Sequence, residues 1–255
     1  MKQFRRLFAT VFGLRFYLRM VSRTYILLTN CGFLRKQYPE LFHLDKLVQP
    51  HWTCIDIGAN LGYYSNRIGR NLKQGRLVAV EPIPLFAEIW KRNTKGLRCN
   101  KQLMQVALGD ENKAVTMSIP MRDGVVRHGL TKIDDGSVDE GQKALSFAVE
   151  LRKSEEAFKD LEVVHFIKID VEGYEQHILH SMKALLDKFK PVMQVELTGT
   201  ENRTRSHALL KELGYGTFKL GNGKLLPVPD SGVGALAQDF YFVHPANPLG
   251  VDAVA

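Results

Sequence analysis

The sequence predicts an α/β fold, a parallel sheet with helices on both faces, and three observations carry that expectation. A short apolar run ends in a glycine turn over Thr53–Gly62. From there, apolar runs of strand length alternate with amphipathic stretches of helix length, the pattern of βα units. Four of those runs end in or beside a carboxylate, at Asp56, Glu81, Asp170 with Glu172, and Glu196. In an open parallel sheet such ends converge on one edge, where ligands bind.

The chain opens on a basic arm. Residues 1–40 hold eight Lys and Arg against Glu40 alone, seven of the net charge of +8, so the rest is close to neutral. That speaks against a broad nucleic-acid face and for something specific at the N-terminus. Phe4, Leu7, Phe8, Val11 and Phe12 follow helical spacing, which predicts a basic amphipathic helix within residues 1–30. Two uses for it stay open: packing on the domain, or a peripheral contact with an anionic membrane. A second helical segment, Phe33–Pro50, offers Leu41, Phe42, Leu44 and Leu47 as its buried stripe and closes at Pro50. Residues 1–50 thus read as a helical extension, 51–244 as the main domain and 245–255 as a tail without signal. No run reaches the roughly 20 apolar residues of a spanning helix, and Leu7–Leu14 lacks the cleavage site of a signal peptide. Three cysteines, Cys31, Cys54 and Cys99, show no metal-type spacing, which fits reduced thiols in a cytoplasmic protein.

Within the main domain the expected order is strand 53–57, helix 62–72, strand 76–81 and helix 84–95, with Pro84 at a helix start where it is tolerated. A strand at 102–108, a turn at Gly109 and Asp110, and an added strand at 113–119 follow. Met121–Gly141, rich in Gly, Asp and Ser, reads as a long loop. The alternation resumes with strand 163–170, helix 174–188, strand 191–197 and helix 201–213, closed by Gly214. Tyr215–Leu220 and Asp239–Val243 read as two closing strands paired as a hairpin.

The glycine turn reads D-x-G-x-x-x-G, with Asn60 where the dinucleotide fingerprint G-x-G-x-x-G has its second glycine. Glycines let a ligand approach the main chain, and the helix that follows offers free N–H groups. Asp56 would repel a pyrophosphate but suits a ligand bearing an ammonium group. Glu81, ending the second run, is placed to bond ribose hydroxyls. The two acids together fit S-adenosyl-L-methionine (SAM) better than NAD. An all-carboxylate cluster could instead hold Mg²⁺; His177 and His180, at i, i+3, lack ligand partners in the sequence.

Four segments come in order and at matching separations: Ile55–Ser65, Val80–Pro82, Ala107–Asp110 and Ile167–Glu175. Over roughly residues 50–243 the chain resembles the FkbM family of SAM-dependent methyltransferases. The resemblance implies a class I methyltransferase fold, with a seven-stranded sheet whose last strand is antiparallel. It also implies O-methylation of a hydroxyl on a sugar, glycan or polyketide-like acceptor. Asp56, Gly58 and the turn through Asn60, Gly62 and Tyr63 would hold the methionine end of SAM, and Glu81 the ribose. Ala107, Leu108 and Asp110 would border the adenine, and Asp170 and Glu172 would face the methyl-transfer site. A base must reach the acceptor's hydroxyl proton; Asp170, Glu172 and Glu196 are candidates from the strand ends, and His128 from the loop. An NAD(P)-linked oxidoreductase would need the absent G-x-G-x-x-G, and a non-catalytic adaptor docked by its basic helix would not need acids at every strand end.

Overall fold

The computed structural model describes residues 13–122, 125–126, 131–133, 144–230, 233 and 239–247. Two helices precede the sheet: α1 (Leu14–Asn30) and α2 (Pro39–Leu47). Then follow β1 (Thr53–Ile57), α3 (Tyr63–Asn71), β2 (Arg76–Val80), α4 (Pro84–Asn93), β3 (Asn100–Met104) and β4 (Ala107–Gly109). The middle of the chain holds β5 (Lys113–Arg122), β6 (Val125–Val126), β7 (Lys132–Ile133), β8 (Ala144–Lys153) and the short α5 (Ser154–Ala157). The last third runs β9 (Phe166–Ile169), α6 (Glu175–Ser181), α7 (Lys183–Phe189), β10 (Val192–Glu196), α8 (Thr200–Glu212), β11 (Gly216–Gly221), β12 (Lys224–Pro227) and β13 (Asp239–Val243).

The main sheet has the order β12-β11-β13-β10-β9-β1-β2-β3. Strands β3, β2, β1, β9 and β10 are parallel, and β13 runs antiparallel between β10 and β11. The antiparallel last strand is as expected, but among the described residues the sheet has eight strands rather than seven. Asn222 and Gly223, both at positive φ, turn β11 back into the edge strand β12. Tyr215–Leu220 and Asp239–Val243 do pair, through Gly216 opposite Val243, with that extra hairpin strand between them in sequence.

Alternation along the strands builds two cores, because both faces of the sheet are covered. Ile55, Ile57, Val78, Ile167, Ile169 and Val195 pack on one face under α6 and α7. Cys54, Leu77, Ala79, Phe166 and Val192 pack on the other, against Leu41, Phe42, Leu44 and Leu47 of α2. Each such fully buried aliphatic side chain contributes about 1.5–3 kcal/mol.

Three other expectations are corrected. The run at 102–108 is two strands, because β3 ends in the main sheet and β4 starts a second one, pairing with β8. That second sheet, ordered β4-β8-β5-β6 with β7 beside β5, takes up parts of Met121–Gly141 read as loop. Its long strand β8 pairs with most of β5, from Lys113 opposite Leu151 to Pro120 opposite Ala144. The helix expected over 174–188 breaks at Met182 into α6 and α7.

Helix α1 packs on the domain. Leu18, Ser22 and Thr29 are buried, Arg19 pairs with Glu88 of α4, and Asn93 Nδ2 donates to Ser22 Oγ at 2.9 Å. Phe4 to Phe12 of the expected helix lie outside the described residues.

Candidate active site

The turn after β1 is shaped by what it must pass. Gly58 has φ 79, and a Cβ there would stand 1.8 Å from the Asp170 carbonyl oxygen at the end of β9. Only glycine fits so close an approach at that backbone angle. Gly58 N–H and Ala59 N–H both donate to Val80 O, at 3.1 and 3.0 Å. Asn60 is left-handed, with φ 47, a conformation Asn tolerates better than most residues. The turn then closes on Glu81. Asn60 N–H donates to Glu81 Oε2 and Ile83 N–H to Glu81 Oε1, each at 2.8 Å. Burial pushes the Glu81 carboxyl up to about 7, against the pull of those two N–H groups.

These residues wall a cleft at the strand ends with about 680 Å³ of space, part of it open to solvent. Gly58, Asn60 and Glu81 form one side. Phe86, Val106, Ala107, Leu108 and Ile178 make an apolar wall, joined by Met117 and Ile133 from the second sheet. Asp170, Glu172 and Tyr174 form the far side.

Several residues expected at the cofactor stand elsewhere. Asp56 does not line the cleft. It is fully buried on the Cys54 face of β1, where Ser65 Oγ donates to its Oδ2 and Trp90 Nε1 donates to Ser65 at 2.7 Å. The alternation of the strand explains this, since Ile57, one residue on, takes the cleft side. Gly62, at φ 88, packs against Trp90, and the Tyr63 ring lies 4.4 Å from that of Tyr25. Asp110 sits outside the wall, within 3.1 Å of His177 Nδ1. Burial would raise its carboxyl, yet the His177 bond holds it below its usual value.

The far side carries the carboxylates expected at the methyl-transfer site. Asp170 Oδ2 accepts from Lys168 Nζ at 2.9 Å. Glu172 has φ 58, a left-handed backbone that a residue with a long side chain adopts only when its surroundings hold it there. Burial, then the charges of Asp170 and Glu175, push its carboxyl up to about 7. Glu196, at the end of β10, is pushed up to about 8 by burial and by Asp170 and Asp239. It stands beyond the cleft wall. His128 lies outside the described residues.

Two residues given no role from sequence turn out to build this side. Glu175 is fully buried; its Oε1 accepts Val171 N–H at 3.1 Å and Gly173 N–H at 3.2 Å, and its Oε2 accepts Asn202 Nδ2 at 2.6 Å. It ties down the loop that presents Glu172. Lys168, 1 % exposed, lies 4.3 Å from the centre of the Tyr64 ring and beside Asp170. A lysine in the middle of an apolar strand was the signal for it. Among the described residues, no three His, Cys, Asp or Glu side chains are grouped to hold a metal ion.

The sequence pattern of the Methyltransferase FkbM domain matches residues 56–217, more than half of the chain. Among solved structures the chain is similar to methyltransferase FkbM from Methylobacillus flagellatus KT. The identity is 13%, the TM-score 0.47, and the match covers 76% of this chain and 44% of that one. It is similar as well to a SAM-dependent O-methyltransferase from Thermotoga maritima, at 14% identity and TM-score 0.42, covering 83% of this chain and 65% of that one. Aeropyrum pernix fibrillarin with natively bound SAM matches at 11% identity and TM-score 0.41, covering 77% of this chain and 67% of that one. The chain spans less than half the length of the first of these. No curated protein matches it.

Proposed function

The chain belongs to the methyltransferase FkbM family, and from that premise we propose that it uses SAM to methylate a hydroxyl oxygen of a sugar, glycan or polyketide-like acceptor. The observation that carries the reading is Glu172, a carboxylate held in a left-handed backbone on the cleft wall with its pKa near 7. A group with that value exchanges a proton at neutral pH, as a general base must.

The donor set fits the cofactor. Main chain at Gly58 and Asn60 lies open to the cleft, Glu81 offers a fixed carboxylate for ribose hydroxyls, and Phe86, Val106 and Leu108 give an apolar seat for a base. When bound, SAM supplies a sulfonium-activated methyl that passes to the acceptor oxygen, with the carbon–sulfur electron pair returning to sulfur. Glu172 takes the hydroxyl proton. Asp170 stays paired with Lys168 and Glu175 holds the loop that presents Glu172, while the cleft walls align the reacting groups. Asp56, buried beneath the turn, supports this site through Ser65 and Trp90 rather than through direct contact.

Calorimetry on the full chain is expected to show SAM binding and no NAD binding, and labelled SAM should pass its methyl to a hydroxyl-bearing acceptor. Binding of NAD instead of SAM would overturn the reading.

We further propose that the protein is cytoplasmic, with the domain resting reversibly on an anionic membrane face through residues 1–30. No helix among the described residues is long and apolar enough to cross a membrane. Support comes from the outer side of α1. Of seven exposed large apolar residues described, Phe16, Met20, Leu27 and Leu28 lie on this helix and Phe33 just after it. Arg15, Arg23, Arg35 and Lys36 are exposed around them, and no acidic residue interrupts the segment. Each basic residue near an anionic surface contributes about 1 kcal/mol. Sedimentation with phosphatidylglycerol vesicles should bring the full chain down at low salt and release it at high salt. Failure to sediment at low salt removes the membrane contact.

A further inference from the structure

The face of the sheet opposite the cleft's apolar wall carries a polar layer that the cofactor reading leaves unused. Lys168, Gln194 and Tyr241 point to that face from β9, β10 and β13, each with 0–1 % exposure. Gln194 Nε2 reaches Tyr64 Oη at 3.3 Å and Asp239 Oδ2 at 3.4 Å. Its Oε1, the Asp239 Oδ1 and the Tyr241 hydroxyl are buried and have no hydrogen-bond partner among the described residues. Native proteins rarely leave such groups unpaired, and a cluster of them calls for an explanation.

The layer surfaces beside the methyl-transfer end of the cleft. Asp239 pairs in register with Glu196, and both are partly exposed at the end of β10. Asp170 and Glu172 stand one strand away, and the charge of Glu40 on α2 reaches Asp239 from above. Lys168 offsets these carboxylates, but it is already bonded to Asp170. Burial and mutual repulsion accordingly leave Glu196 at about 8 and Asp239 at about 6.

Gln194 Oε1 and Asp239 Oδ1 accept hydrogen bonds, the Tyr241 hydroxyl can accept or donate, and the charge around them is negative. A phosphate or carboxylate would be repelled, and a neutral hydroxyl would answer the hydrogen bonding but not the charge. An ammonium group answers both, with three donors and one positive charge. We propose that the acceptor bears a protonated amine, as an amino sugar or amino alcohol does. The amine docks against the partly exposed carboxylates of Glu196 and Asp239, over the ends of β10 and β13, and so presents a neighbouring hydroxyl to Glu172. The inference rests on the reading of the chain as a hydroxyl methyltransferase.

The test uses the full chain and two probes of equal length, a β-1,4-linked glucosamine tetramer and its fully N-acetylated counterpart. Binding of SAM is measured first by calorimetry; its absence overturns the methyltransferase reading itself. With S-adenosylhomocysteine present, the amine tetramer is expected to bind at least tenfold more tightly than the acetylated one. Asp239→Asn should shrink that preference to about threefold or less while keeping SAM affinity. Glu196→Gln, altering a half-buried side chain, gives the same readout if the first variant does not fold. Equal or better binding of the acetylated tetramer overturns the amine assignment. So does a preference that survives both substitutions, or binding of neither tetramer by a protein that binds SAM.

Discussion

The carboxylates along the strand edge are of two kinds. Glu81 is fixed: both of its oxygens accept backbone N–H groups, so it is held in one orientation before any ligand arrives. Glu172, Glu196 and Asp239 receive no backbone N–H among the described residues, crowd one another, and share the field of a single buried lysine. A carboxylate with capped oxygens is built to hold hydroxyl groups in place. One that is crowded and uncapped gains or gives up a proton, or a cation, at little cost. The same residue type at the same topological position thus serves binding at one end of the cleft and chemistry at the other.

The largest effect that comparison predicts is at Glu172. Glu172→Gln keeps the size and the hydrogen-bonding reach but not the proton-accepting charge. With an accepted hydroxyl substrate, kcat should fall about 10²–10⁴-fold, the usual worth of a positioned base. SAM affinity should stay within about threefold. A variant with full turnover would place the base elsewhere and dissolve the distinction between the two ends.

Much of this division was legible in the sequence, because β1, β2, β9 and β10 are apolar runs with an acid at or just beyond their ends. The order of elements from Thr53 to Val80 and from Phe166 to Glu212 follows from that pattern. What the sequence hid was direction. Asp56 and Glu81 both end apolar runs, yet Asp56 is the fourth residue of β1 and turns to the face away from the cleft, whereas Glu81 follows the last residue of β2. The second sheet was hidden for another reason. In β8, Leu145, Phe147, Val149 and Leu151 alternate with polar or small residues, a strand signature, but the Gly- and Asp-rich stretch before it masks where it begins. Glu175 and Lys168 were visible as letters and silent as roles, since their work is to position other groups.

A smaller effect is expected at the fixed end. A hydrogen bond from a ribose hydroxyl to a carboxylate is worth about 1.5–3 kcal/mol, so Glu81→Ala should weaken SAM binding about tenfold to a hundredfold. The substitution also leaves Asn60 N–H and Ile83 N–H without their acceptor, loosening the turn. Glu81→Gln separates the two effects, because its amide oxygen can still accept one of those N–H groups. Unchanged SAM affinity in both variants would show that this carboxylate only braces the turn.

The smallest effect is on stability, and it tests the crowded end without any substrate. Burial and like charge hold Glu172 near 7, Glu196 near 8 and Asp239 near 6, all above the ordinary carboxyl range. A carboxyl with a raised pKa in the folded state binds its proton more tightly there than in the unfolded chain. Its contribution to stability is therefore complete below the unfolded value of about 4. It is lost as pH climbs through the folded values, between roughly pH 4 and 8. Glu81, raised to about 7 by burial, acts in the same sense, so the Asp239→Asn comparison is what isolates the crowded end. His43, His165, His207 and His244, lowered by burial, act in the opposite sense below about pH 6.5, and carboxylates with lowered values, such as Asp110 beside His177, do so below about pH 4. Scanning calorimetry should thus find a higher Tm near pH 5 than near pH 8.5, by about 2–4 °C for each kcal/mol withdrawn. Asp239→Asn removes one of the repelling charges and relieves its neighbour Glu196, so the fall in Tm across that range should become shallower. A Tm that is level or rises from pH 5 to 8.5 would mean that these carboxylates are already relieved in the free protein. The contrast with Glu81, itself raised to about 7, rests on its two backbone N–H donors in either case.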